Sequence, residues 1–552
     1  TLGISLPAAT EVFPLDQVRR GLTGVGRTCL QGREVAEFQF EVLGVMENVI
    51  AGHSVVLVKV SGQGLEKTGI FSGMSGSPVY IGGKLLGAVA YGFPFSTDAI
   101  AGVTPFEEMK AALPPAPADS DVPPRKSADA AGLDLAPMLA ALQAGEAGAL
   151  PMPDPAPALA PESRLRPIET PLMISGACLP ALEQFQGRFR ELGFTPMQGG
   201  AAGGAAATAP RPLQPGGGVV VSLIRGDLNV GAGGTVTEVD GNQVYAFGHQ
   251  FLNLGSASLP MHDSEVITVV NNINSSFKFF TTGATVGAVR QDRTVGIAGQ
   301  LQAEPRMLPV ELTIDSSQGG RKSFRFDVAR DPVLTPFFLN FGLFSFLQEG
   351  ERAIGQTTIE VEAAIRLADG NSIPLRNIFS QPVNAAQQAA LYVSLPVQFI
   401  LASQFKDIDI QGVTVFARVR EKLQIARIEE VQASRLRVRP GDSMDFRITL
   451  QMQDGTWKTE DFPLRIPGEI PPGPLQVFVG DGASLSQLDQ QLEPGLLTVY
   501  NSEQLVRALR NLRQGGTIYV KLFRRGEGLF ARGRLFPAIT PSYNDILRKT
   551  RL

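Results

Sequence analysis

Gly73-Met74-Ser75-Gly76-Ser77-Pro78 is the stretch whose reading decides the fold. It lies in a longer run, residues 65–91, that reads LEKTGIFSGMSGSPVYIGGKLLGAVAY. Glycines at 73 and 76 permit a tight turn whose backbone N–H groups converge on one point, with Ser75 at its tip. The N–H groups of Gly73 and Ser75 are then placed to polarise a carbonyl that the Ser75 hydroxyl attacks. Val79-Tyr80-Ile81, the Gly82-Gly83 turn and residues 85–91 predict a β-hairpin directly behind this loop. A plain hairpin loop draws on the same residues, because Gly, Ser and Pro are all common turn formers. The surrounding run separates the two readings.

LEKTG at 65–69, GMSGSP at 73–78 and GKLLGAV at 83–89 resemble, in that order, the Ser-bearing half of the SpoIVB-type sporulation serine peptidases. The resemblance covers residues 13–113, and 100–109 resembles the family's closing segment. It implies a trypsin-like fold, Ser75 as nucleophile, and a catalytic His on a second barrel half. VYAFGHQF at 244–251 resembles that other half and points to His249 as general base. In the family the His half precedes the Ser half, whereas here Ser75 precedes His249, so the two halves stand in swapped order. A triad is defined by geometry rather than chain order, so the swap is compatible with a working site. An active pair requires Ser75 Oγ and His249 within about 2.6–3.2 Å, looser without substrate.

The orienting acid departs from the pattern. In the family it lies just before LEKT, where this chain has Ser61 or Gly62, neither of which carries charge. Either a Ser–His dyad operates or an acid comes from elsewhere, with Asp292 and Asp263 as candidates. Asp292, flanked by Arg290 and Arg293, also reads as half of a surface ion pair. Of the 3 histidines, His53 reads as a surface loop residue and His262 as the runner-up base.

The rest of the composition narrows the class. At 552 residues the chain has room for several domains. Its 60 Gly, 40 Pro and 7% aromatics favour turn-rich β domains over helical bundles. A net charge of −4 gives no reason to propose nucleic acid or an anionic membrane as partner. The longest apolar segment, 389–402, contains Ser394, Pro396 and Gln398 and predicts a buried, kinked helix rather than a transmembrane segment. No C-x-x-C or His-Glu-x-x-His occurs, so no metal is expected. Gly231-Ala232-Gly233-Gly234 lacks a following helix signature, so no dinucleotide cofactor is expected. Cys29 and Cys178 leave a disulfide or two lone thiols equally open. With Thr1 as first residue, a signal peptide already removed would suit a secreted or periplasmic protein.

The expected fold is mainly β: two trypsin-like β-barrel halves, C-terminal β-rich and β-sandwich-like modules, and few short helices. The Ser-bearing half spans 13–113, a Pro/Ala-rich linker 114–165, and a strand–helix segment with a Gly/Ala spacer 166–218. The His-bearing half spans 219–304, a β-rich domain with a helix 305–425, and a sandwich-like module 426–540. The helix of 166–218 should turn Leu182, Phe185, Phe189 and Leu192 inward. Two functions follow: a serine endopeptidase, self-cleaving or narrow in its protein substrates, or a non-catalytic peptidase-like scaffold binding an envelope protein partner.

Overall fold

The computed structural model describes residues 10–524 apart from 51, 94–95, 97, 115–131, 146–149, 151–164, 200–209, 273–275, 318, 350–355, 404, 406, 471 and 493–496. It also describes strands Leu529–Ala531 and Arg534–Phe536. Most of the expected 114–165 linker, half of the Gly/Ala spacer and the C-terminal tail lie outside the described residues. The fold is mainly β, as the turn-rich composition predicts. Contacts divide the chain into two compact units: Thr1–Lys126, Pro151–Pro309 and Arg325–Phe338 in the first, Ser127–Leu150, Val310–Phe324 and Leu339–Leu552 in the second.

In the first unit, strands β1 (Thr23–Gln31), β2 (Glu34–Ile50), β3 (His53–Ser61), β4 (Pro78–Ile81), β5 (Lys84–Gly92) and β6 (Ile100–Pro105) form a barrel. They pair in the order β4-β1-β2-β3-β6-β5, and the β4–β5 hairpin closes the circuit. Gly82 and Gly83 take φ of 57° and 80°, the left-handed pair that a two-residue hairpin turn requires. Period-2 alternation in β2 turns Phe38, Phe40 and Val42 inward onto Val56, Val58 and Val60 of β3 and Met74 of the loop. Gly24 and Gly26 lie opposite Phe40 and Phe38, whose rings fill the space that a Cβ would take. Large cross-strand aromatics over glycines pin the register of the pair.

A second six-membered circuit follows. Asn229–Asp240 pairs with Gln243–Ala246, then Gly296–Leu301, Phe277–Arg293, Gly255–Val270 and Gly218–Gly226, which returns to Asn229–Asp240. Asp240-Gly241, an Asp-Gly pair between two alternating runs, forms the turn, with Asp240 opposite Gln243 and Gly241 at φ 60°. Between the barrels, Tyr80, Leu85, Ala88, Phe106, Met109 and Leu113 pack on Tyr245, Val295 and Ala298. Phe106 meets Tyr245 edge to face at 5.2 Å.

Thr170–Ser175 adds to Asn229–Asp240, and Phe194–Gln198 runs parallel to it. The intervening helix, Leu179–Glu191, buries Phe185 and Phe189 as its periodicity predicts, and both rings meet Phe337 at 5.7 and 5.8 Å. Cys29 and Cys178 are not joined in a disulfide.

The second unit has a sheet in which Met307–Ser316 pairs with Ile410–Arg420, followed by Thr357–Leu367 and Ser372–Gln381. Helix Ala385–Ala402 is long and apolar enough to span a bilayer by length and composition, yet 78% of that window is buried within the protein. It is buried nearly all round, and Gln387 Nε2 donates to Asn340 Oδ1 at 3.2 Å. Within the segment expected as a linker, Ala136–Ala144 is helical and buries Met138. Beyond residue 425 a three-stranded sheet, Ala426–Ala433, Ser443–Met452 and Trp457–Arg465, precedes a strand pair, Gln476–Gly480 with Tyr519–Phe523. Helix Ser502–Arg510, capped by Asn501, turns Leu505 and Leu509 inward.

Truncating Phe38 to Ala should lower the unfolding free energy by about 3–5 kcal/mol in urea titration, because it empties the barrel core and uncovers Gly26 together.

Candidate active site

The loop between helix α1 (Leu65–Thr68) and β4 carries Ser75. Gly73 and Gly76 have φ of 92° and 93°, conformations that L side chains rarely adopt. Its backbone donors divide into two sets. Ser72 N–H donates to Ser276 O (3.0 Å), Met74 to Phe71 O (3.1 Å), Gly76 to Val89 O (2.8 Å) and Ser77 to Met74 O (2.9 Å). The N–H groups of Gly73 and Ser75 have no acceptor among the described residues. The carbonyls are held from the second barrel. Gly73 O accepts from Thr235 Oγ1 (2.9 Å), Ser75 O from Thr235 N–H (2.9 Å) and Gly76 O from Thr237 Oγ1 (2.8 Å).

Approach here is close enough that a Cβ on Gly76 would overlap the Thr235 carbonyl and lie 2.6 Å from Phe247 N. One residue before His249, a Cβ on Gly248 would fall 2.8 Å from Ala88 and 3.2 Å from Ala90 of β5. The Gly248 carbonyl accepts from Thr104 Oγ1 at 2.6 Å. Glycine is thus required both beside the serine and beside the histidine.

Ser75 is fully buried and His249 is 3% exposed. Neither Ser75 Oγ nor His249 Nε2 has a hydrogen-bond partner, so the two are not hydrogen-bonded to each other. His249 Nδ1 lies 2.7 Å from Gln250 O, which fixes Nδ1 as the protonated nitrogen and leaves Nε2 a bare lone pair. Burial pushes the imidazole down to about 4, against the Gln250 and Ile168 carbonyls that favour its charged form. The ring is therefore neutral at pH 7.

Asp292 is buried rather than half of a surface ion pair. Its Oδ1 accepts from Phe251 N–H (2.8 Å), and its Oδ2 from Leu252 N–H (2.7 Å) and Leu254 N–H (3.1 Å). It thereby shapes the loop that follows His249. Desolvation raises its pKa to about 6 in spite of those donors. Arg290 contacts Ser258 Oγ, and Arg293 contacts Gln291 Oε1. Asp263 is committed to Arg33 at 3.0 Å. His262, on strand Gly255–Val270, is buried against Thr285 Oγ1. His53 is half-buried rather than on the surface, and its Nδ1 lies 3.1 Å from Glu108 Oε2.

Sequence reasoning missed four residues around the loop: Thr28, Thr235, Thr237 and Lys278. Lys278 Nζ donates to Thr28 Oγ1 (2.8 Å) and Thr235 Oγ1 (3.0 Å) and is wholly buried. The signal available was a lone lysine inside the apolar run Phe277-Lys278-Phe279-Phe280. A cation in such a run is rare without a partner. No group of three or more metal-ligating side chains occurs among the described residues.

Residues 5–108 match the model of the family described as SpoIVB peptidase S55. The match contains the Ser75 loop and supports a serine peptidase of that general type; it ends well before His249. No curated protein and no solved structure matches the chain.

Replacing Asp292 with Ala strands three buried N–H groups and should destabilise the protein by about 3 kcal/mol or more. Calorimetry on Asp292→Ala and Asp292→Asn would check this, since Asn keeps one acceptor oxygen and should fall between.

Proposed function

We propose that this protein is a serine endopeptidase in which Ser75 is the nucleophile, His249 the general base, and the N–H groups of Gly73 and Ser75 the oxyanion hole. One observation carries the reading: of the six N–H groups from Ser72 to Ser77, the two that an oxyanion hole needs are the two without an acceptor among the described residues. Unpaired buried N–H groups are costly, so their persistence on a rigidly held loop fits a role realised with substrate.

In the proposed reaction His249 Nε2 takes the Ser75 hydroxyl proton as Oγ attacks a peptide carbonyl. The negative oxygen that forms is met by the two N–H groups, and His249 returns its proton to the departing amine. The position of the third triad member is filled by the Gln250 carbonyl. A carbonyl fixes the tautomer but supplies no negative charge to the imidazolium that forms. Changing the orienting Asp to a neutral group costs about 10⁴ in turnover in well-studied triads, so a slow enzyme of narrow protein specificity is the expected result. Because Ser75 and His249 are both buried, substrate reaches them only after the packing around them opens, which suits self-processing or a single partner better than general digestion. Secretion or a periplasmic location fits this reading.

Fluorophosphonate labelling of the wild type, Ser75→Ala and His249→Ala tests it. Adduct on Ser75 in the wild type alone is the expected result; silence in folded wild type would favour the non-catalytic envelope scaffold. The labelling rate should hold down to about pH 5 and fall near pH 4, following the neutral imidazole. A conventional limb near the free-histidine value of about 6.5 would contradict a buried base.

A further inference from the structure

Lys278 is the one wholly buried lysine among the described residues, and no carboxylate lies within ion-pair distance of it there. Such a group is expensive, since a buried ammonium normally acquires a counter-ion or moves to the surface. What surrounds it is the underside of the Ser75 loop. Its backbone N–H donates to Ser72 O at 3.0 Å, so its strand is joined directly to the residue where the loop begins. Its Cβ would lie 3.1 Å from a Cβ placed on Gly73.

From the ammonium, two chains of hydroxyls reach the loop. In one, Thr235 Oγ1 accepts from Nζ at 3.0 Å and donates to Gly73 O at 2.9 Å. In the other, Thr28 Oγ1 accepts from Nζ at 2.8 Å and lies 2.9 Å from Ser77 Oγ, which donates to Met74 O at 2.6 Å. A threonine has one proton to give. An ammonium, which can only donate, takes a lone pair from each hydroxyl and leaves its one proton free to be given toward the loop. A residue there that could accept would let Thr235 and Thr28 donate away from the loop, so that Gly73 O would lose its side-chain donor and Met74 O would keep only the Ser77 N–H.

We propose that Lys278 is a positioning residue for the nucleophile: through Thr235 and Thr28 it polarises two hydrogen-bond chains that hold the carbonyls of Gly73 and Met74, the second of which shares a peptide plane with the Ser75 N–H, while its own backbone N–H holds the Ser72 carbonyl, which shares a plane with the Gly73 N–H. The link to catalysis rests on the serine-peptidase reading above; the link to loop geometry does not. Burial lowers the ammonium pKa to about 7. The titratable group facing it is the Cys29 thiol of β1, itself raised by burial, while Arg33 pairs with Asp263. The Phe280 ring lies 5.9 Å from Nζ. Deprotonation gives Nζ a lone pair, and the enforced direction of the two chains is lost.

The test compares wild type, Lys278→Met and Thr235→Val. Met keeps the length and removes the donor; Val keeps the shape and cuts one chain. Backbone amide exchange over residues 72–77 should quicken about tenfold in both, with β2 and β3 unchanged, which requires no active serine. Thermal stability of Lys278→Met should equal or exceed wild type, because an unpaired buried charge has been removed. In fluorophosphonate kinetics the maximal inactivation rate should drop about 100-fold at unchanged half-saturation, and the wild-type inflection near pH 7 should vanish. Exchange over 72–77 equal to wild type in both variants would overturn the proposal. If wild type never labels yet the variants exchange faster, Lys278 still positions the loop, and it is the peptidase reading that falls.

Discussion

Everything at the site depends on how the Ser75 loop is gripped. Strand Asn229–Asp240 of the second barrel binds three of the loop's carbonyls, those of Gly73, Ser75 and Gly76, through Thr235 and Thr237. A peptide plane held by its oxygen has the N–H of the next residue set as well, so these three contacts orient the N–H groups of Met74, Gly76 and Ser77, while those of Gly73 and Ser75 ride on the Ser72 and Met74 carbonyls, held by the Lys278 N–H and by Ser77. The loop can accept this grip only because Gly73 and Gly76 adopt positive φ and because Gly76 leaves space for the Thr235 carbonyl. Assembly of the two barrels and organisation of the loop are therefore one event: the first barrel alone holds the Phe71 and Met74 oxygens but has no donors for those of Ser72, Gly73, Ser75 and Gly76.

Desolvation governs the charges within this assembly. His249, Lys278 and Asp292 are each buried, and each is shifted toward its neutral form. For His249 and Lys278 the folded pKa lies below the unfolded one, so the unfolded chain binds more protons in the intervening range. Stability rises with pH from about 4 to 6.5 on account of the histidine and above about 7 on account of the lysine. Asp292 acts in the opposite sense, losing stability as pH climbs from 3.8 to about 6. Retaining three such groups in one barrel pair is costly for folding, and stored cost of this kind concentrates where geometry serves chemistry.

Much of the architecture was legible in the chain. Alternation in β2, the Gly82-Gly83 and Asp240-Gly241 turns and the apolar stripe of Leu179–Glu191 are local signals, and local sterics with period-2 or period-3.6 burial decide them. Helix Ala385–Ala402 was read correctly as buried, though its burial on nearly all sides depends on neighbours remote in sequence. Ser75 and His249 stood out because each sits beside a glycine in a recognisable run. Asp292, read as a candidate orienting acid with a surface ion pair as the plainer alternative, forms neither contact: the backbone of 251–254 folds around the carboxylate instead.

The sequence by itself determined the mainly β fold and its hairpin turns, and it singled out the two residues proposed here as nucleophile and base, since these follow from short-range pattern and residue chemistry. Tertiary structure alone decided which donors and acceptors meet across large separations. Thr235 reaches Gly73, Lys278 reaches Thr28, and the Gln250 carbonyl takes the nitrogen of His249 where a carboxylate was sought. Hydrogen-bond partners are set by the closure of a barrel and the docking of two barrels, and no periodicity in a chain records which strand will lie beside which.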